Sequence, residues 1–243
     1  MATTLAIFLL AISLLSINPC QAASPATHRQ TMPYYSQASQ DRFVYVMLYE
    51  LLGKSDEGYY LEIGAGHPSD GNNSYILEKI LGWKGVSIDI SDEYQKVWSY
   101  TRANPLVIED ATQSNYLYLL RSFPQSIDYL SLDIDSSYDI VLQKIPFHEH
   151  IFKIITIEHD FYRYGELYRK EEREILSSLG YYLLCPDVSV FFNGADSVFE
   201  DWWIHPSAFS DDMISALTSL NLKGKDHSAV INLIHSYQHT QGL

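Results

Sequence analysis

Five short apolar runs, each ending at or beside a carboxylate and separated by helix-length segments, constrain this sequence most. They lie at residues 58–63, 86–89, 106–108, 127–132 and 152–157. Strands that alternate with helices in this way predict a mostly parallel α/β sheet with helices on both faces. Two further strand-like runs, 181–192 and 197–204, flank Asn193-Gly194 and predict a hairpin. We expect this hairpin to add an antiparallel last strand to a Rossmann-like sheet.

The strand-end carboxylates form a series along the chain. Its members are Glu62, Asp89, Asp110, Asp133 with Asp135, and Glu158 with Asp160. In a parallel sheet they all lie along the edge where α/β proteins bind ligands. Clustered acids repel one another unless a ligand or metal offsets their charge. One such carboxylate alone is more often a turn residue or a helix N-terminal residue. Five strand ends in register instead indicate a ligand site.

Two glycines follow the first strand, in the sequence Leu-Glu-Ile-Gly-Ala-Gly at residues 61–66. Gly64 and Gly66 lack a Cβ atom, so the backbone can turn sharply and lie against a ligand. Ser69 stands where nicotinamide-dinucleotide sites have a third glycine. Glu62, two positions before the first glycine, suits a ligand that carries positive charge. S-adenosylmethionine (SAM) is such a ligand, because it carries a sulfonium and an ammonium. The alternative interpretation of the segment is an ordinary strand-to-helix turn that binds no ligand.

The strand order assigns a role to each carboxylate if SAM is the ligand. Asp89, followed by Ile90, ends the second strand, where a carboxylate can accept hydrogen bonds from both ribose hydroxyls. Asp110 can accept from the adenine amino group, and Ala111 leaves room for the ring. We expect Glu62 and Asp133 to lie near the methionine part of the cofactor, at the central crevice of the sheet.

Several segments carry a resemblance to a known family. They are 61–66, Asn73-Ser74, Leu77-Glu78-Lys79, Gly82-Trp83-Lys84-Gly85 and 127–133. Together they resemble the FkbM-type family of class I SAM-dependent methyltransferases, over roughly residues 58–205. The resemblance implies a seven-stranded sheet, SAM as cofactor with Asn73 among the residues that bind it, and commonly a hydroxyl group as methyl acceptor.

The chain departs from that family at two places. After the fourth strand the family often has Asp-x-Glu-Gly, and this chain has Asp-Ile-Asp-Ser at residues 133–136. The glycine loop runs through His-Pro-Ser-Asp-Gly at residues 67–71, where the family has a shorter Asp-Gly turn. The first departure concerns the acceptor site, and the second concerns the contacts to SAM.

A hydroxyl acceptor requires a base or a metal that lowers its pKa. Asp135, His159 and Asp160 are the candidates, because they follow neighbouring strands. Imidazole has an intrinsic pKa near neutrality, which suits a base. Asp133 or Asp135 together with His159 and Asp160 could instead hold Mg²⁺ or Mn²⁺ through hard ligands. His159 could equally be a polar residue at a strand end whose hydrogen bonds are satisfied within the protein.

Length and charge limit the partners of the chain. Its 243 residues, 47% of them hydrophobic, suffice for one domain, which we place at residues 36–243. A net charge of -14 repels phosphate backbones and argues against nucleic acid as a partner. Only Cys20 and Cys185 are present, and no Cys/His cluster has zinc spacing. We therefore expect a small-molecule or glycan acceptor.

The N-terminus carries an apolar segment at residues 5–17. It is too short for a membrane-spanning helix of about 20 residues. With a small-x-small site at residues 20–22, it predicts that residues 1–23 are a signal peptide or an N-terminal membrane anchor, before a linker at 24–35. The expected location is secreted or membrane-anchored, with cytoplasmic as the alternative. A glycosylation sequon at residues 72–74, inside the expected ligand loop, argues against a eukaryotic secretory compartment.

Three functions are compatible with these patterns. The first is a SAM-dependent methyltransferase that acts on a hydroxyl group of a small molecule or glycan. The second is an NAD-dependent Rossmann oxidoreductase, which Glu62 and the missing third glycine disfavour. The third is a non-catalytic binding module that keeps the methyltransferase fold.

Overall fold

The computed structural model describes residues 32–192 and 194–241. The predicted leader, most of the predicted linker and Asn193 of the hairpin turn lie outside these residues. No helix of the described part is long and apolar enough to cross a membrane.

Seven strands of the described chain form one sheet. Their bounds are β1 Tyr59–Ile63, β2 Lys84–Asp89, β3 Leu106–Ile108, β4 Ser126–Leu132, β5 Ile151–Glu158, β6 Tyr182–Phe192 and β7 Ala195–Ile204. The order across the sheet is β3-β2-β1-β4-β5-β7-β6. Strands β1 to β5 pair in parallel, and β7 lies antiparallel between β5 and β6. The predicted Rossmann-like, mostly parallel sheet with an antiparallel final hairpin is therefore confirmed.

Helices cover both faces of this sheet. The α-helices are α1 Gln40–Tyr45, α2 Tyr75–Lys79, α3 Gln95–Thr101, α4 Tyr116–Leu120, α5 Tyr138–Lys144, α6 Phe161–Tyr164, α7 Glu166–Ser178, α8 Asp211–Ser219 and α9 His227–Gln241. A π-helix, Val46–Leu51, continues α1, and a 3-10 turn spans Pro206–Ala208. The first helical segment is thus an α-helix that widens into a π-helix. It ends just before Gly53, whose φ of 66° is left-handed.

Alternation along the strands divides the core between the two faces. Tyr60 of β1 packs with Phe43, Leu48 and other residues of the first helical segment. Leu61 and Ile63 point to the other face, where residues of α4 and α5 cover them. The parallel strands are buried on both faces, so they appear in the sequence as continuous apolar runs.

The domain's contacts begin slightly before the predicted boundary at residue 36. The Tyr34 ring lies 6.4 Å from the Tyr45 ring, edge to face. The Tyr35 amide donates to Asp41 Oδ2 at 2.7 Å, and Ser36 pairs with Gly71 in an isolated parallel bridge. These contacts hold the start of the described chain beside the glycine loop.

Candidate functional site

A cavity of about 700 Å³ opens at the carboxyl ends of β1 to β5. The chain order reverses between β1 and β4, and open α/β sheets bind ligands at such a point. Seven carboxylate residues line the cavity: Asp89, Glu109, Asp110, Asp133, Asp135, Glu158 and Asp160. Among the residues that the structure describes, no lysine, arginine or histidine lines it. The predicted residues Gly64, Gly66, Ile90 and Ala111 also line the wall.

The two glycines have different roles. Gly64, with φ of 85°, lies so close to β4 that a Cβ atom there would sit 1.6 Å from the Asp133 carbonyl oxygen. The absence of a side chain is therefore required by the protein's own backbone, and not by a ligand as expected. Gly66, with φ of 56°, has nothing within 4 Å of its Cβ position and borders open space. It is the glycine that leaves room for a bound molecule.

Asp89 ties the glycine loop to the end of β2. Its Oδ2 accepts from the Gly66 amide at 2.7 Å, and its Oδ1 accepts from the Ser91 amide at 2.8 Å. Each oxygen keeps a second lone pair, so the carboxylate can still accept from a ligand hydroxyl. Ile90 is exposed at the cavity rim.

Asp110 is exposed at the far end of the cavity. Its Oδ1 accepts from both the hydroxyl and the amide of Thr112, each at 2.8 Å. These hydrogen bonds hold the pKa of Asp110 below its usual range. The carboxylate is therefore charged at neutral pH and available to a hydrogen-bond donor, with Ala111 beside it.

Glu62 and Asn73 do not reach the cavity, and this corrects the sequence interpretation. Glu62 accepts from the hydroxyls of Ser74 at 2.8 Å and Ser87 at 2.7 Å in a buried position. Alternation along β1 places it on the same face as Tyr60, beneath the loop before α2. Burial raises the pKa of Glu62, and the Arg102 charge opposes that shift. Asn73 donates from Nδ2 to Ser131 Oγ at 3.0 Å and is also buried.

Arg102 organises the interior below the glycine loop, a role that the sequence did not indicate. Its Nε donates to Glu78 Oε2 at 2.7 Å. Its Nη1 donates to the Pro68 carbonyl at 3.1 Å and to Asn72 Oδ1 at 3.0 Å. The guanidinium therefore fixes the long glycine loop against the sheet.

Asp133 and Glu158 both line the cavity wall at the ends of β4 and β5. Burial and the neighbouring charge of Asp133 raise the pKa of Glu158 to about 12. Burial also raises the pKa of Asp133. Glu158 therefore keeps its proton at neutral pH. Glu158 belongs to the strand-end series, but its protonation follows only from its burial beside Asp133.

Asp160 lies at the cavity wall with only 2% of its surface exposed. Its φ is 49°, and it accepts a hydrogen bond from the Tyr138 hydroxyl at 3.3 Å. Burial, together with the charge of Asp160, raises the pKa of Tyr138, so this phenol stays protonated as a donor. Asp135 lies at the exposed rim and pairs with Arg163 Nη1 at 2.8 Å.

His159 does not join Asp135 and Asp160, which corrects the predicted catalytic and metal-binding set. Adjacent residues of a strand point to opposite faces, so Glu158 faces the cavity and His159 faces away. The His159 side chain is fully enclosed. Its Nε2 lies 3.6 Å from Asp201 Oδ1, and its Nδ1 accepts from the Phe161 amide at 3.3 Å. The three candidates therefore form neither a base site nor a cation site together.

His159 belongs instead to a buried group with Asp187 and Asp201, whose donor atoms lie within 4.8 Å of one another. Arg173 already donates to Asp201 Oδ2 at 2.6 Å and to Asp187 Oδ1 at 2.7 Å. Burial alone would raise the pKa of Asp201, but hydrogen bonds from the Arg173 guanidinium hold it well below its usual range. A guanidinium between the carboxylates does not fit a metal ion, so we assign the group to structure.

No protein-family model matches the sequence, and no curated protein is similar to it. Solved structures resemble its fold at low identity. One is described as a hemolysin of Streptococcus thermophilus, with 11% identity over 88% of this chain and 78% of that chain, and a TM-score of 0.46. Another is precorrin-6y C5,15-methyltransferase of Geobacter metallireducens, with 16% identity over 67% and 86%, and a TM-score of 0.43. A third is M. jannaschii TYW2 in complex with AdoMet, with 12% identity over 73% and 80%, and a TM-score of 0.42. Identities and scores this low do not indicate a shared activity.

Proposed function

We propose that this chain is a SAM-dependent methyltransferase of the FkbM type, acting on a hydroxyl group of a small molecule or glycan. The observation that carries the proposal is the cavity wall, which has seven carboxylate residues and, among the described residues, no cationic side chain. SAM brings a sulfonium and an ammonium into such a wall. A dinucleotide brings a pyrophosphate, whose negative charges would face these carboxylates without compensation.

The positions of the wall residues support a division of the cavity. Gly66 leaves open space beside Asp89, and both lie at the β1–β2 end where the nucleoside is expected. Asp110 stands beyond them and suits an exocyclic amino group. The carboxyls of Asp133, Glu158 and Asp160 occupy the β4–β5 end, where the methionine part and the acceptor would meet.

The transfer itself needs alignment of the acceptor oxygen with the methyl group, exclusion of water, and a proton acceptor. We assign the last role to Asp160, because it is nearly enclosed and lines the cavity. His159 is unsuited to that role because it faces away from the cavity, and Asp135 is already paired with Arg163 at the rim. A metal is not required by this assignment. The net charge of -14 supports a small-molecule or glycan acceptor over nucleic acid.

Calorimetric titration of the full chain tests the cofactor. We expect S-adenosylhomocysteine and SAM to bind and NADH not to bind. Asp110→Asn should weaken S-adenosylhomocysteine binding about tenfold, because one charged acceptor is lost. Asp212→Asn, at an exposed position of α8, is the matched control and should bind as the unaltered chain does. Binding of NADH in place of both sulfur compounds would contradict the proposal and support the oxidoreductase.

Turnover separates the enzyme from a binding module of the same fold. If S-adenosylhomocysteine binds, the chain should transfer the methyl group of labelled SAM to an extract of small molecules and glycans. Asp160→Asn should remove this transfer while leaving cofactor affinity within about twofold, because Asp160 acts on the acceptor proton. Tight cofactor binding without transfer to any fraction would favour the binding module.

A further inference from the structure

The last two strands project beyond the rest of the sheet at the edge where the cavity opens. Glu158, the last residue of β5, lies opposite Glu200 of β7, which pairs in turn with Val188 of β6. The pairing of β6 with β7 continues past this level to the hairpin ends of both strands. At about 3.3 Å for each residue, β6 extends about 13 Å beyond Val188. We define the ribbon as residues 189–192 and 195–199.

The end of the ribbon exposes two phenylalanine side chains to solvent. Phe191 is 72% exposed and Phe192 is 53% exposed. Adjacent residues of a strand point to opposite faces, so the two rings stand on both faces of the ribbon. At the base of the ribbon, Val190 and Phe199 pack with Ala38 in a small buried cluster. The described residues therefore cover the base of the ribbon and leave most of the aromatic surface at its end uncovered.

The mouth of the cavity carries further exposed apolar side chains. Ile90 and Ile140 line the cavity and are both exposed. Tyr162 of α6, a helix that packs against β7, is exposed as well. Single exposed apolar residues are ordinary, whereas several at one edge indicate a surface that contacts a partner or a membrane. The ribbon therefore belongs to an edge of the sheet that is rich in exposed apolar side chains.

The sequence before the domain indicates what covers this edge. The apolar segment at residues 5–17 predicts a membrane anchor or a signal peptide. The described chain begins at residue 32, lines the cavity with Gln37 and reaches the base of the ribbon at Ala38. A chain that is anchored through residues 5–17 is therefore tethered to the bilayer at the edge that carries the ribbon.

The charge of the molecule indicates the type of bilayer. Among the residues of the ribbon, only Asp196 is charged, and the whole chain has a net charge of -14. Phenylalanine side chains bind at the boundary between lipid headgroups and acyl chains. Anionic headgroups attract basic segments and repel acidic ones. The ribbon therefore fits a zwitterionic bilayer better than an anionic one.

We propose that the ribbon docks the domain on a zwitterionic lipid bilayer by inserting Phe191 and Phe192 among the headgroups. This contact is additional to any anchoring through residues 5–17. It turns the mouth of the cavity toward the bilayer, because the ribbon projects from the edge where the cavity opens. It does not depend on the proposed function, since the two rings lie outside the cavity wall.

A spin label beside Phe192 tests the docking on the full chain. Ala195→Cys, in a Cys20→Ser chain, places a nitroxide label directly opposite Phe192, and Cys185 stays unlabelled because it is buried. With phosphatidylcholine vesicles, power saturation in electron paramagnetic resonance should show the label about 5–10 Å below the level of the phosphates. A label on Asp212→Cys, at an exposed position of α8, should stay in water. Phosphatidylserine vesicles should immerse the first label less.

Serine variants test whether the aromatic rings cause the docking. Phe191→Ser combined with Phe192→Ser removes two exposed rings, and it should return the label at residue 195 to water. Leu117→Ser is the matched control, because Leu117 is 54% exposed and lies with Gln125 beside the start of β4, at the other end of the sheet. It should leave the depth of the label unchanged. Because the depth is measured at the ribbon, chains that stay on the vesicles through residues 5–17 do not obscure the result.

Three results would overturn the inference. The first is a label at residue 195 that stays in water after vesicles are added. The second is equal immersion of this label in the unaltered ribbon and in the double serine variant. The third is a label shielded from water-soluble relaxation reagents before vesicles are added, because residues 5–17 or a second copy of the chain would then cover the ribbon. The measurement uses no cofactor, so each result is independent of the proposed function.

Discussion

The close approach of Gly64 to β4 gives the sharpest test of the fold around the site. Gly64→Ala places a Cβ atom 1.6 Å from the Asp133 carbonyl oxygen and 2.6 Å from its carbonyl carbon. Both obstacles are backbone atoms, so no side-chain rotation relieves the collision. The β1 and β4 ends must separate, which strains the hydrogen bond from the Asp133 amide to the Ile63 carbonyl at 2.8 Å.

Gly66→Ala is the matched control. Both glycines have positive φ, 85° and 56°, so each alanine incurs left-handed strain of about 1–2 kcal/mol. Gly66 has no atom within 4 Å of its Cβ position, so strain is its only cost. Gly64→Ala adds the collision, for which overpacking typically costs about 1–3 kcal/mol. Because the obstacle is backbone, we expect a difference near the upper value, about 3 kcal/mol between the two variants.

Urea denaturation, followed by circular dichroism, measures this difference as a change in midpoint at constant slope. For a domain of this size, about 3 kcal/mol corresponds to roughly 6–12 °C in Tm. Equal free energies of unfolding for the two variants would refute the reasoning, because the strain is shared and only the collision differs.

Three further predictions concern buried charges. Arg102→Met leaves Glu78 and Glu62 buried without their cation, and it should lower the free energy of unfolding in urea by about 3–5 kcal/mol. The control Arg121→Met, at an exposed position, should lower it by less than about 0.5 kcal/mol. Similar losses of stability in the two variants would contradict the structural role of Arg102. Folding raises the pKa of Glu158 from 4.5 to about 12, so its contribution to stability is greatest below its unfolded pKa and falls as pH rises toward its folded pKa. Glu158→Gln should therefore gain stability relative to the unaltered chain between about pH 5 and pH 9 in parallel melts, and a gap that is constant with pH would argue against a protonated Glu158. Burial raises the pKa of the Cys185 thiol well above its usual range. In a Cys20→Ser chain, a thiol reagent should therefore label Cys185 only in denaturant. Labelling of the folded chain at the rate of a free thiol would show that the site opens.

Much of the candidate site could be predicted from the pattern of residues along the chain. The strand ends put Asp89, Asp110, Asp133 and Asp160 at one edge, because a parallel sheet aligns the carboxyl ends of its strands. The sequence pattern could not show to which side the last residues of a strand point their side chains. Glu62 and His159 stand at strand ends like the others, yet each points away from the cavity.

Partners across the sheet were equally hidden in the sequence. Glu158 and Glu200 are far apart along the chain, and their opposition depends on the register between β5 and β7. Arg102 was indistinguishable from a solvated arginine at a helix end, because its contacts reach Glu78, Pro68 and Asn72 through the fold. Long-range contacts of this kind produce no periodic pattern in the amino-acid sequence.

The sequence by itself determined the alternation of strands and helices, the parallel sheet with its antiparallel end, and the acidic character of the edge formed by the carboxyl ends of the parallel strands. Local periodicity and glycine placement set these features, since each depends on residues close together in the chain. Tertiary structure alone decided which carboxyls face the cavity, which keep a proton at neutral pH, and which are neutralised by arginine. Those outcomes depend on strand register and burial, because the electrostatics of an acid are set by neighbours that folding brings to it.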